Sequence, residues 1–237
     1  MRHEKLKLTV PWESLDLVAQ QQIQTVLAMP ELERLAIMPD VHAGNGMCIG
    51  GVALLHGLVS PFFVGTDIGC GMCHVNVGLT LAEIGLVRQK DRERFFKILQ
   101  EYVPCERHKI PTDREFPVFV SASGDKRLTA AIQQITLEQF GTLGSGNHFL
   151  ELGENSNGML GITIHSGSRR PGFAIAEWYM AHGRFFATDS DIGKAYLADM
   201  QWAMNFAALN RRAMMKATLQ AKSFSQDTIG IMLVSDG

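Results

Sequence analysis

The sequence has little of what would announce a partner by composition alone. Its 22 Lys and Arg against 24 Asp and Glu leave a formal charge of −2 at pH 7. No global basic excess marks a nucleic-acid binder, so any such binding needs a local patch. The 4 cysteines among 237 residues (Cys48, Cys70, Cys73 and Cys105) are too few and too irregularly spaced for a disulfide framework. A reducing, cytoplasmic setting is expected. No apolar run is long enough to span a bilayer, and none follows the charged start Met1–Lys7. Neither a membrane span nor a signal peptide is expected. Solenoid repeats and low-complexity tracts are missing as well. There is no Gly-Lys-Ser/Thr phosphate loop. Ser166 and Ser168 stand beside His165 without a nucleophile-elbow pattern, which disfavours a serine hydrolase.

What is there is a core-forming chain, 46% hydrophobic. Residues 4–10 alternate polar and apolar, the period of a strand. Ser14 is placed to cap a helix running through Leu15 and Ile23 to Leu27, which Pro30 stops. Leu35–Met38, Ile49–Leu55, Pro61–Val64, Val75–Val77, Phe149–Leu152 and Met159–Ile164 read as strands. Leu81–Tyr102 and Leu128–Phe140 read as helices, as do residues 173–187 and 193–222. Asn155–Gly158 is a turn, and the basic cluster Arg107, His108, Lys109 and Arg114 falls in a solvated loop. Thr228–Gly237 reads as a strand. The mixture of strands and long helices gives an α+β fold.

The chemistry gathers in glycine-rich segments. Gly65–Met72 carries Asp67 and Cys70, a carboxylate and a thiol three residues apart. Pro39–Gly46 carries Asp40 and His42, Gly141–His148 carries Asn147 and His148, and His165–Gly172 carries His165 and Arg169. The expected device, repeated four times, is an apolar strand opening into a glycine loop. Glycine lets backbone approach a phosphate or a metal closely. Carboxylate, thiolate and imidazole together suit a borderline divalent metal. One histidine after a strand is more often a satisfied core group than a ligand. Four such segments within 130 residues favour one shared site. Gly144–Phe149 begins like a dinucleotide fingerprint but leads into a strand-like segment. Cys70 and Cys73 have redox or zinc spacing but lack a second pair.

Met38–His42, Gly65–Met72, Gly141–Phe149 and His165–Arg169, with Asn205, Asn210 and Arg211 downstream, resemble the RtcB family of RNA-splicing ligases. The resemblance covers about residues 30–220. It implies a mixed layered fold around a two-metal site, with residues 1–237 as a single domain lacking the family's C-terminal part. It implies an enzyme of RNA repair and tRNA splicing. Such an enzyme joins a 2′,3′-cyclic phosphate or 3′-phosphate end to a 5′-hydroxyl, using GTP and manganese. By the same resemblance Asp67, Cys70 and His148 hold one Mn2+. Cys70 bridges to a second ion that His165 helps bind. Asn147 contacts the nucleotide, Arg169 contacts a phosphate, and Asp40 and His42 form the loop at the RNA end.

The family's guanylylated histidine sits in a Ser-His-Gly-Ala-Gly-Arg stretch, and another metal histidine in Asn-Cys-His-His-Asn. Neither stretch occurs in this sequence, and no nucleophile is nominated. Arg170-Pro171 also stands where the family places a glycine after its arginine. Three readings stay open at this stage. One is the ligase. A second is a non-catalytic holder of RNA ends, or a half-site completed by a partner chain. The third is a metal-dependent phosphotransferase or phosphatase.

Overall fold

The structure, a computed structural model, describes residues 4–106 and 117–221. Its fold is α+β. In chain order the elements are β1 (Leu6–Leu8), α1 (Leu17–Leu27), β2 (Leu32–His42), β3 (Ile49–Leu55), β4 (Leu58–Val59) and α2 (Pro61–Val64). Then come β5 (Gly71–Asn76), α3 (Gln89–Tyr102), α4 (Lys126–Gln139), β6 (Phe149–Glu154) and β7 (Leu160–Ser166). The last are α5 (Arg169–His182), β8 (Phe186–Ala187) and α6 (Asp191–Ala221). No helix among the described residues is long and apolar enough to cross a membrane. The basic cluster Arg107, His108, Lys109 and Arg114, and the strand expected at Thr228–Gly237, lie outside the described residues.

The described residues divide into two compact units. One falls within Met1–Thr66, Ala122–Gly124 and Ile175–Asp199. Here β1 pairs parallel with β2, and β2 pairs antiparallel with β3. Parallel neighbours need a crossover, and α1 supplies it. Ala19, Ile23 and Val26 of α1 pack with Leu32, Leu35 and Ile37 of β2 in one buried cluster. Ser14 is not the cap of α1. Its hydroxyl donates back to the Pro11 carbonyl at 2.7 Å, inside a 3-10 turn, and Asp16 accepts from the Ala19 N–H at 2.7 Å instead.

The expected strand at Pro61–Val64 is a helical turn. The Val64 N–H donates to Ser60 O at 3.2 Å and the Gly65 N–H to Pro61 O at 2.9 Å. Pro61 occupies the first helical position, where its missing N–H costs nothing. Asp40 and His42 also differ from expectation. They sit on β2, which continues through them, and not in a loop. The ladder shifts register between Ile37 and His42, around Pro39, which has no N–H to give.

The second unit falls within Asp67–Ser121, Asp125–Ala174 and Met200–Gly237. Its sheet runs β5-β7-β6, with both pairings antiparallel. Side chains alternate across a sheet. Cys73, Val75, Ile162 and Ile164 point into the core and meet Phe95 and Leu99 of α3 and Met214 and Met215 of α6. Ile162 and Ile164 are completely buried, each worth about 1.5–3 kcal/mol. That parity sends His165 to the opposite face, in register with Met72 and Phe149. A one-residue slip would bury the imidazole, so the isoleucines fix where it points.

The expected helix over Leu81–Tyr102 begins only at Gln89. Before it, the Thr80 N–H donates to Glu83 Oε2 at 2.7 Å and the Glu83 N–H donates to Thr80 Oγ1 at 3.3 Å, closing a separate turn. α4 lies where the pattern placed it, capped by Asp125 through the N–H groups of Arg127 and Leu128. The fourfold strand-then-loop device does not hold. A helix, α4, precedes the 141–148 loop, and a helical turn precedes Asp67.

Candidate metal centre

The second unit gathers ligand-bearing side chains from three segments distant in sequence. Asp67 and Cys70 come from the turn that enters β5, His148 from the loop before β6, and His165 from β7. One donor atom each from Asp67, Cys70 and His148 lies within 4.8 Å of the others. His148 Nε2 stands 2.8 Å from Asp67 Oδ2. His165 Nε2 stands 3.3 Å from Cys70 Sγ. Sequence analysis anticipated these four residues, and the fold brings them together. Asn147 joins them, its side-chain amide 3.4 Å from His165 Nε2.

Backbone carbonyls set the tautomers. His148 Nδ1 is 3.1 Å from Leu143 O, and His165 Nδ1 is 3.1 Å from Gly71 O. A carbonyl only accepts, so each Nδ1 carries the proton and donates it. Each Nε2 then faces the Asp67–Cys70 side. A metal-binding imidazole is oriented in this way. No sequence signal announced these carbonyls, because any residue supplies one.

Arg169 completes the group. It opens α5 with φ of 58°, the one non-glycine at positive φ among the described residues. Its guanidinium lies against Gly144, whose φ is 93°. A β-carbon there would overlap the guanidinium. Arg169 Nη1 approaches His148 Nδ1 at 3.4 Å. That nitrogen already donates to Leu143, so the approach is packing and the guanidinium keeps its donors for another acceptor. Gly167 has a matching role at Asp67, where a β-carbon would strike the carboxylate.

The electrostatics favour a carboxylate and oppose a free thiolate. Burial works against ionising Asp67, but hydrogen bonds from His148, Cys70 and the Arg169 backbone, with the charge on His148, hold its carboxyl below the usual range. Burial, then the Asp67 charge and hydrogen bond, push the Cys70 thiol up to about 11, with Arg211 pulling the other way. Burial lowers the Arg169 guanidinium, against the charges of Asp67 and Cys105. A half-buried carboxylate beside a thiol and two imidazoles is a donor set that a divalent cation completes. The residues present therefore fit a metal.

Asp40 and His42 belong to the first unit, where both are exposed. His42 Nδ1 donates to the Asp40 carbonyl at 2.7 Å.

The model of the family described as tRNA-splicing ligase RtcB matches residues 22–124 and 118–234. The chain belongs to the RtcB family. It is 31% identical over 247 aligned residues to the RNA-splicing ligase RtcB of Escherichia coli strain K12, covering 89% of this chain and 59% of that protein. The same identity and coverage hold for RNA-splicing ligase RtcB1 of a second Escherichia coli strain. RNA-splicing ligase RtcB2 of that second strain is 30% identical over 216 residues, covering 84% of this chain and 52% of its own. The chain thus spans less than two thirds of the length of these RtcB relatives.

Proposed function

We propose that this chain performs RtcB-type ligation with GTP and manganese. It would join an RNA end bearing a 2′,3′-cyclic phosphate or 3′-phosphate to one bearing a 5′-hydroxyl. The observation that supports this is the convergence of Asp67, Cys70 and His148 within 4.8 Å, on motifs shared with relatives named RNA-splicing ligases. Asp67, Cys70 and His148 would hold one Mn2+, and Cys70 with His165 would face a second. Bound there, the ions supply neutralisation of phosphate charge and a template for in-line displacement.

The protein's own groups bind and orient. The Leu143 and Gly71 carbonyls keep both imidazoles aimed. Arg169, held over Gly144, offers bidentate donors to a phosphate and steadies charge that develops on it. Asn147 offers its amide to the nucleotide's phosphates. Asp40 and His42 meet the RNA end. The setting is cytoplasmic.

The test is sealing of a paired RNA substrate with 3′-phosphate and 5′-hydroxyl ends, with GTP and Mn2+, by the chain and by Cys70→Ala. Intact-mass measurement follows any GMP-sized addition to the protein. Manganese-dependent sealing that Cys70→Ala abolishes is expected. Sealing that survives Cys70→Ala, or none at all while manganese and RNA both bind, overturns the ligase assignment. The second outcome would leave a holder of RNA ends.

A further inference from the structure

The three ligand segments have no covalent reason to stay in register with one another. Asp67 and Cys70 lie about eighty residues before His148, and His165 comes from a different strand. Two consecutive residues of α6 touch all three segments from behind. Arg211 is buried, and its Nη1 donates to Gly69 O at 2.8 Å and to Ser166 O at 2.7 Å. Gly69 lies between the two ligands of the Asp67–Cys70 turn, and Ser166 follows His165. One nitrogen thus ties the turn to the end of β7. Asn210 has no exposed surface. Its Oδ1 accepts from the Gly141 N–H at 2.5 Å, and its Nδ2 donates to Thr142 O at 3.0 Å. It anchors the start of the loop that delivers Leu143, Asn147 and His148.

We infer that Asn210 and Arg211 are positioning residues that set the metal geometry, each for a different ligand group. This rests on the metal centre proposed above. The chemistry of the pair fits such work. A planar guanidinium serves two carbonyls from fixed directions, which a lysine ammonium on a flexible stem cannot reproduce. A primary amide is the neutral side chain that accepts from an N–H and donates to a carbonyl at once. Helix α6 runs for 31 residues and carries both, so the spacing of the two anchors is set by one rigid rod. Asn210 and Arg211 hold the ligand segments through Gly69, Ser166, Gly141 and Thr142, and the Arg211 charge also acts on the Cys70 thiol.

The division of labour predicts two different failures. Arg211→Lys keeps the charge and loses the fixed N–H directions of the planar group, and it should disturb Cys70 and His165. Asn210→Asp keeps the acceptor for Gly141 and loses the donor to Thr142, and it should disturb His148. The probe is Co2+ alone, which reports thiolate ligation by its sulfur-to-cobalt absorption. Wild-type and variant chains are titrated, with metal-free melting and far-UV circular dichroism measured alongside.

The expected result for Arg211→Lys is about tenfold to hundredfold weaker binding with a weakened or shifted thiolate band per bound ion. For Asn210→Asp it is weaker binding with that band unchanged. Retained wild-type affinity and spectrum in both variants overturns the inference, as does loss of metal-free structure with an unaltered band per ion. Absence of Co2+ binding to the wild-type chain overturns the metal centre itself and this inference with it.

Discussion

The pH dependence of metal binding follows directly from Cys70. Without a cation its thiol is pushed up to about 11 by burial and by the neighbouring Asp67 carboxylate. At pH 7 only about one thiol in ten thousand is then ionised. A cation that takes the thiolate must displace that proton. The neutral form is favoured without metal, so raising pH lowers the cost of displacement. Apparent affinity should climb about tenfold per pH unit until the thiol itself titrates. Asp67 adds no slope near neutrality, because its carboxyl is held below the usual range and is already ionised. Between pH 7.5 and 9.0, where imidazole is ordinarily neutral, affinity for Mn2+ should rise about thirtyfold. Isothermal titration calorimetry in two buffers of different ionisation heat should count about one proton released per bound ion. Cys70→Ser, whose hydroxyl does not ionise in this window, should bind more weakly and lose the slope. An affinity flat from pH 7.5 to 9.0 with no proton released would refute Cys70 as a thiolate ligand.

Two further predictions are local. Gly167→Ala places a methyl group against the Asp67 carboxylate and should weaken Mn2+ binding about tenfold; calorimetry on a chain shown to be folded by circular dichroism checks this. Asp16→Ala removes the cap of α1 and should cost about 1 kcal/mol in urea unfolding. Ser14→Ala should stay within about 0.5 kcal/mol, and a larger loss at Ser14 than at Asp16 would reverse the assignment of the cap.

These residues also show which parts of the molecule were legible in sequence. Period-two alternation at Leu6–Leu8 and the apolar run Ile49–Leu55 gave strands correctly, and the helix expected over Leu128–Phe140 is α4. Asp67, Cys70, His148 and His165 were recognisable because thiol, carboxylate and imidazole recur there beside glycines. Pro61–Val64 misled because four apolar residues carry no period that separates a strand from a helical turn. The leading proline was the better signal. Ser14 and Asp16 both have cap chemistry, and only the 3-10 turn that occupies Ser14 decides between them. The pairing of β4 with β8 joins Leu58–Val59 to Phe186–Ala187, over a separation that no local pattern reaches. Asn210 and Arg211 look like two polar residues on an amphipathic helix. That they are buried and bonded to the ligand loops follows only once β5, β7 and α6 are packed.

The left-handed backbone of Arg169 has a consequence for anyone improving this protein. With φ of 58°, a residue that has a β-carbon holds a conformation costing about 1 kcal/mol, and glycine would occupy it freely. Arg169→Gly should therefore raise the melting temperature while removing the guanidinium from above Gly144. A variant library ranked by heat resistance alone would enrich that substitution and discard the guanidinium, so a screen for the function proposed above needs a phosphate-binding readout beside the thermometer.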